Sequence, residues 1–344
     1  MNRSRPAPVI VIAAAALLLA GCSSTDSESS SSGSSSSETA AEEGTNEATD
    51  VSVVASTSIL GDVAGQITQC AGGTVTVLMP IGTDPHDFTA SSEQVASMVN
   101  ADLVIANGLG LESGLTDSLD NAANDGARIF EVAPLLDPIE FGAGGHSDED
   151  GHSDEDGHSD EDGHDDHGSL DPHFWFDMTR MAVAAQLIGT ELTEITGNQE
   201  YTTCAETTAS TIRDAELEVR ALLESVPVDK RILVTDHEAL GYLAEAYAYE
   251  IAGTVIPAGT TLAEPSSADL ASLVDVINAE GVNVIFTNAT QPSALADAVA
   301  AETGREIAVV PLYVESLGAP DSPAATYIDM MRTNAQLISE GLQG

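Results

Sequence analysis

Val51–Ile81 reads VSVVASTSILGDVAGQITQCAGGTVTVLMPI, and the architecture of the folded chain follows from it. VSVVAST is short and rich in β-branched residues, which predicts a strand. ILGDVAGQITQC places apolar residues three and four apart, which predicts a helix, and TVTVLMPI returns to the strand pattern. A strand, a helical crossover and a second strand make a unit whose strands lie parallel.

The same alternation continues outward. SSEQVASMVN reads as a helix opened by Ser91 or Ser92, DLVIANG as a strand, ESGLTDSLDNAAN as a helix and RIFEVA as a strand. After an interruption, Asp177 to Thr196 is helical, and Asn198 to Ser225 keeps a helical pattern with no turn signal. The theme then repeats: strands at RILVTD, YEIAGTVI, VNVIFTN and EIAVVPLYV alternate with helices at EALGYLAEAYA, SADLASLVDVINAE and SALADAVAAETG. SPAATYIDMMRTNAQLISEGL closes the chain as a helix. This order predicts an α/β fold: two (β/α) lobes with parallel sheets, joined by a long rigid helix. The expected boundaries are residues 51–197 for the first lobe, 198–227 for the linking helix and 228–344 for the second lobe.

Upstream, MNRSR followed by an apolar run from Ala7 to Leu19 reads as an export signal over residues 1–22. It ends in Leu19-Ala20-Gly21-Cys22, which resembles the lipobox of bacterial lipoproteins and implies a diacylglycerol on the Cys22 sulfur. Residues 23–50 are nearly all Ser, Glu, Thr, Gly and Ala, the composition of a flexible tether. Outside the cell, Cys70 and Cys204 can form a disulfide or remain two buried thiols. With only ten Lys and Arg and a formal net charge of −46, the chain lacks the basic surface that nucleic acid requires.

Histidine is the most informative residue type. Six of the eight lie between His146 and His173, where the hexad His-Ser-Asp-Glu-Asp-Gly occurs three times from His146 to Gly163. The others are His86 in TDPHDF and His237 in TDHEAL. His86 follows the strand TVTVLMPI, His237 follows RILVTD and Glu315 follows EIAVVPLYV, and parallel sheets gather ligands beyond the carboxyl ends of their strands. His173, in LDPHFWF, joins them through the shared Asp-Pro-His turn, where proline stiffens the presentation of the imidazole. Asp84 and Asp171 are then placed to accept from the far ring nitrogen or to serve as outer partners.

Three imidazoles and a carboxylate suit Zn2+ better than the oxygen-preferring Mn2+, and four protein donors leave no open position for chemistry. The hexads, with His146, His152, His158, His164 and His167 in the loop 142–169, are read as an auxiliary tract that gathers zinc weakly. Phe174, Trp175 and Phe176 can shield the site or simply pack the core.

The chain resembles the metal-specific solute-binding proteins of ABC importers, the cluster A-I group, in their zinc-binding branch. The likeness runs from Val51 to the C-terminus, on TSILGDVAGQI, GTDPHDF, ADLVIANGLGLE, the acidic His-rich loop ahead of DPHFWFD, TDHEALGYLAEAY, AEPSSADLASLV, VIFTN and PLYVESLG. It implies a monomeric receptor, held at the extracytoplasmic membrane face by its lipid anchor, that hands metal to a permease driven by an ATPase. Carried over residue by residue, the metal ligands are His86, His173, His237 and Glu315. The family more often has aspartate where Glu315 stands, and its manganese members carry glutamate where this chain has His237. The competing readings are a manganese receptor of the same type, a surface zinc buffer or adhesin, and a secreted zinc hydrolase. The hydrolase needs a general base and an open metal position, and no HExxH pattern occurs.

Overall fold

Successive residues of the strands face opposite layers, and this sorts the core. The computed structural model describes residues 50–142 and 170–344. In β1 (Val51–Ala55), Val53 and Ala55 face a central core while Val54 faces an outer one. The chain continues through α1 (Ser58–Ala71), β2 (Gly73–Val77), α2 (Ser92–Asn100), β3 (Leu103–Ala106), α3 (Thr116–Asn124) and β4 (Ile129–Glu131). Then come α4 (Met178–Thr196) and α5 (Glu200–Glu224). The second lobe comprises β5 (Ile232–Thr235), α6 (Gly241–Tyr247), β6 (Glu250–Thr254), α7 (Ser267–Glu280), β7 (Val284–Asn288), α8 (Ala294–Glu302), β8 (Ala308–Leu312) and α9 (Tyr327–Gln343).

The two sheets have the same topology, β2-β1-β3-β4 and β6-β5-β7-β8, with every pairing parallel. In each, the order reverses beside the first strand, opening a crevice past the carboxyl ends of β1 and β3 and of β5 and β7. One face of each sheet meets a shared core built on α4, α5 and α9; the outer faces are covered by α2 and α3 and by α7 and α8. Period-2 alternation repeats in the second sheet, where Val284 and Phe286 face the shared core and Ile285 the outer one.

The long helix α5 joins the lobes and packs against α4, the helix that precedes it. Gly197, in the left-handed conformation at φ 71°, ends α4, and α5 packs back along it. A Cβ on Gly189 would lie 2.2 Å from that of Ala205, so the two backbones approach where only glycine fits. A disulfide between Cys70 and Cys204, with Cα atoms 5.9 Å apart, ties α1 to α5.

Three helices begin three or more residues later than their sequence patterns predict, each for a local reason. The helix expected from Glu238 begins at Gly241, because Glu238 donates its N–H to Ala258 and Ala239 donates back to the His237 carbonyl. The helix expected from Glu112 begins at Thr116, after a 3₁₀ turn, because the Glu112 carboxylate is drawn inward. The closing helix begins at Tyr327, capped by Thr326, behind a turn in which Gly318 bonds Ala324. Among the described residues no helix is long and apolar enough to cross a membrane.

Candidate metal centre

Loops leaving the two crevices bring His86, His173, His237 and Glu315 together, with one donor atom from each lying within 4.8 Å of all the others. His237 stands two residues past β5 and Glu315 three past β8. His86 sits in the β2–α2 connection, and His173 opens the 3₁₀ turn Phe174–Phe176. The ring centroids are 5.3–5.9 Å apart, and all four side chains are buried. The auxiliary residues His146, His152, His158, His164 and His167, and the lipidation site Cys22, lie outside the described residues.

The inner atoms have no hydrogen-bond partner. Nε2 of His86, His173 and His237 and Oε1 of Glu315 are each buried and unsatisfied. His86 and His237 approach Glu315 Oε1 at 2.8 and 3.3 Å, which are ion-pair distances without hydrogen-bond alignment. Four convergent polar atoms left unpaired in a dry interior would be costly unless a cation satisfied them together. A tetrahedral zinc ion with bonds of about 2.0–2.1 Å sets its donors about 3.4 Å apart, a spacing these atoms bracket.

The outer atoms, by contrast, are held. Asp171 Oδ1 accepts the His173 backbone N–H at 2.9 Å and lies 2.7 Å from its Nδ1. Asp236 Oδ1 does the same for His237, at 2.9 and 3.0 Å. When neutral, each imidazole therefore carries its proton on Nδ1 and turns the Nε2 lone pair inward. Asn288 donates from its side-chain amide to Glu315 Oε2 and from its backbone to Asp236 Oδ2. Asp84 does not repeat the Asp171 arrangement. Its Oδ1 accepts only the His86 backbone N–H, and its Oδ2 accepts from Thr261 and Gln291.

Burial is the largest single influence on His173, His237 and Glu315. It pushes the His173 pKa down, only partly opposed by Asp171. It also works against protonation of His237, but contacts with Asp236 and Glu315 outweigh it and raise that pKa to about 10. Burial would raise Glu315 too, yet His237 and His86 hold it far below the usual carboxylate range. The pocket thus already sustains a carboxylate beside a positive charge.

Two asparagines were not singled out as site residues from the sequence. Asn107, just past β3, donates to the Pro172 carbonyl beside His173; Asn288, the last residue of β7, orients Glu315. They occupy matching places in the two sheets, and aligning DLVIANG with VNVIFTN would have found them. Trp175, the middle of the aromatic run, donates to the Val314 carbonyl at 2.9 Å and so braces the Glu315 turn. Phe174 and Phe176 are fully buried core residues.

The repeated sheet, the central crevice and the four-donor cluster define the class: a two-lobed α/β protein with a candidate metal centre where its lobes meet. A family model described as zinc-uptake complex component A, periplasmic (ZnuA), matches residues 53–341, and the chain belongs to that family. Among its relatives, the manganese-binding lipoprotein MntA of Halalkalibacterium halodurans is 27% identical over 310 residues, covering 88% of this chain and 92% of that protein. The zinc-binding protein TroA of Treponema pallidum is 26% identical over 292 residues, covering 82% and 87%. The TroA structure superposes with a TM-score of 0.71 at 24% identity, covering 86% of this chain and 99% of that one, a likeness of fold. A manganese-bound periplasmic metal-binding protein of Candidatus Liberibacter asiaticus superposes at 0.69 with 27% identity, covering 85% and 100%.

Proposed function

We propose that the chain is the extracytoplasmic receptor of an ABC importer. It binds one zinc ion through His86, His173, His237 and Glu315 and delivers it to a permease driven by an ATPase. The observation that carries this reading is the convergence of four buried donor atoms, each unsatisfied on its inner side and fixed on its outer side or by its turn. Three imidazoles with a single carboxylate favour zinc, whereas manganese favours a richer oxygen set. A full tetrahedral protein shell leaves no position for an activated water, which fits a cargo site better than a hydrolytic one. Membership of a periplasmic uptake family and the lipoprotein names of relatives support anchoring through Cys22 and partnership with a permease. Manganese is the second reading, favoured by the MntA relatives and the manganese-bound structure.

Titrating metal-free protein with each ion, alone and in competition, tests the choice. One tight equivalent of zinc, undisplaced by equimolar manganese, is expected; displacement by manganese would reverse the assignment. The hexads are proposed as weak collecting sites. Deleting residues 145–168 should therefore remove the weaker equivalents and spare the tight one, and loss of the tight equivalent would refute the auxiliary role.

A further inference from the structure

The geometry points to Asp84 as a clasp that joins the two lobes across the cleft and slows release of the bound cation, an inference that rests on the receptor reading above. One oxygen, Oδ1, accepts the N–H of His86 at 2.9 Å and so belongs to the turn that presents this imidazole. The other, Oδ2, accepts the Thr261 hydroxyl at 2.5 Å and the Gln291 side-chain amide, and both donors come from the opposite lobe. Thr261 lies in the loop after β6 and Gln291 in the turn after β7.

The contacts close into a ring. The Gln291 N–H bonds the Asn288 carbonyl at 3.1 Å, and the Asn288 side chain donates to Glu315. Glu315 in turn lies 2.8 Å from His86 Nε2. His86 and Glu315, the candidate ligands of opposite lobes, are therefore connected twice: once through the metal position and once through Asp84, Gln291 and Asn288. A cation drawing His86 and Glu315 to one centre also brings Asp84 within reach of its two donors. Breaking the clasp must accompany separation of the lobes.

Burial distinguishes this contact from polar links between the lobes such as the Trp175–Val314 hydrogen bond and the Ser58–Ser316 pair. Ser58 and Ser316 meet in a buried position, Ser58 accepting from the Leu317 N–H and Ser316 from the Gly82 N–H. Asp84, Thr261 and Gln291 are each partly exposed, so water can take over their hydrogen bonds when the lobes part. Such a contact shifts an open–closed equilibrium by its difference in free energy between the two states, and the shift appears in the rate of release.

Thr261→Val and Gln291→Leu remove the two donors without touching any of the four candidate ligands. Stopped-flow transfer of zinc from the loaded protein to excess chelator should be at least about tenfold faster in the double variant, the size expected for hydrogen bonds to a charged group. The association rate should stay within about twofold. Thr261→Ser, which keeps the hydroxyl, should release at the wild-type rate, and small-angle scattering of the zinc-loaded double variant should show a larger radius of gyration than wild type. A double variant that binds one tight zinc and releases it at the wild-type rate overturns the clasp. So does faster release that follows a matching fall in the metal-free melting temperature and that Thr261→Ser shares. Wild-type protein with no tight zinc equivalent would instead overturn the receptor reading itself.

Discussion

Replacing Asp171 by alanine should weaken zinc binding by more than its distance from the ion would imply. The side chain makes no contact with the metal position, but it is buried and grips His173 at two points, the backbone N–H at 2.9 Å and Nδ1 at 2.7 Å. Removing it frees the imidazole to turn and to adopt the other tautomer, which would point a protonated nitrogen at the ion. Loss of such an outer partner typically lowers metal affinity about 10–100-fold, which is about 1.4–2.8 kcal/mol. Proton competition adds nothing to this loss near neutrality. Burial already depresses the His173 pKa, and Asp171 is among the groups that raise it. The loss therefore reflects orientation and ligand basicity. Asp171→Asn keeps an acceptor and removes the charge, so it should fall between wild type and alanine. Competition calorimetry against a zinc chelator measures the effect, with metal-free melting confirming the fold. An alanine variant within about twofold of wild type would refute the argument that this outer contact presets the ligand.

Two other outcomes follow from buried groups. In the metal-free protein, the raised pKa of His237, about 10 against an ordinary 6.5, contributes stability that is complete below 6.5 and lost as pH rises towards 10. The depressed Glu315 contributes stability present above its ordinary 4.5 and lost as pH falls below it. The difference in melting temperature between wild type and Glu315→Gln should thus be largest between these two values; a difference independent of pH would contradict the pairing. Glu112 is buried and accepts from Ser56 Oγ, Asn107 N and Gly108 N across the mouth of the first crevice. Glu112→Ala should destabilise the chain by about 3 kcal/mol or more in urea unfolding, since three buried donors lose their acceptor. A cost below about 1 kcal/mol would show that water replaces the carboxylate there.

The fold was legible because the period-2 and period-3.6 patterns are clean and each strand–helix unit is local in sequence. Repetition of the unit implied the second sheet, and carboxyl-end placement pointed to His86, His237 and Glu315. What escaped was information carried by tertiary contacts. Nothing in the helical pattern of 238–248 indicates that Glu238 will spend its N–H on Ala258, so the first turn of α6 was overread. The Asp-Pro-His motif looks alike at 84 and 171, yet Asp171 turns to its own imidazole while Asp84 reaches Thr261 and Gln291, 177 and 207 residues downstream. Whether Cys70 and Cys204 pair or stay as thiols was likewise open until α5 was placed against α1.

Zinc K-edge X-ray absorption on protein loaded with one equivalent reads the donor atoms around the ion themselves. The account predicts three imidazole nitrogens and one carboxylate oxygen at about 2.0–2.2 Å, with one imidazole contribution disappearing in each of His86→Ala, His173→Ala and His237→Ala. A spectrum dominated by oxygen, or one that these substitutions leave unchanged, would contradict it.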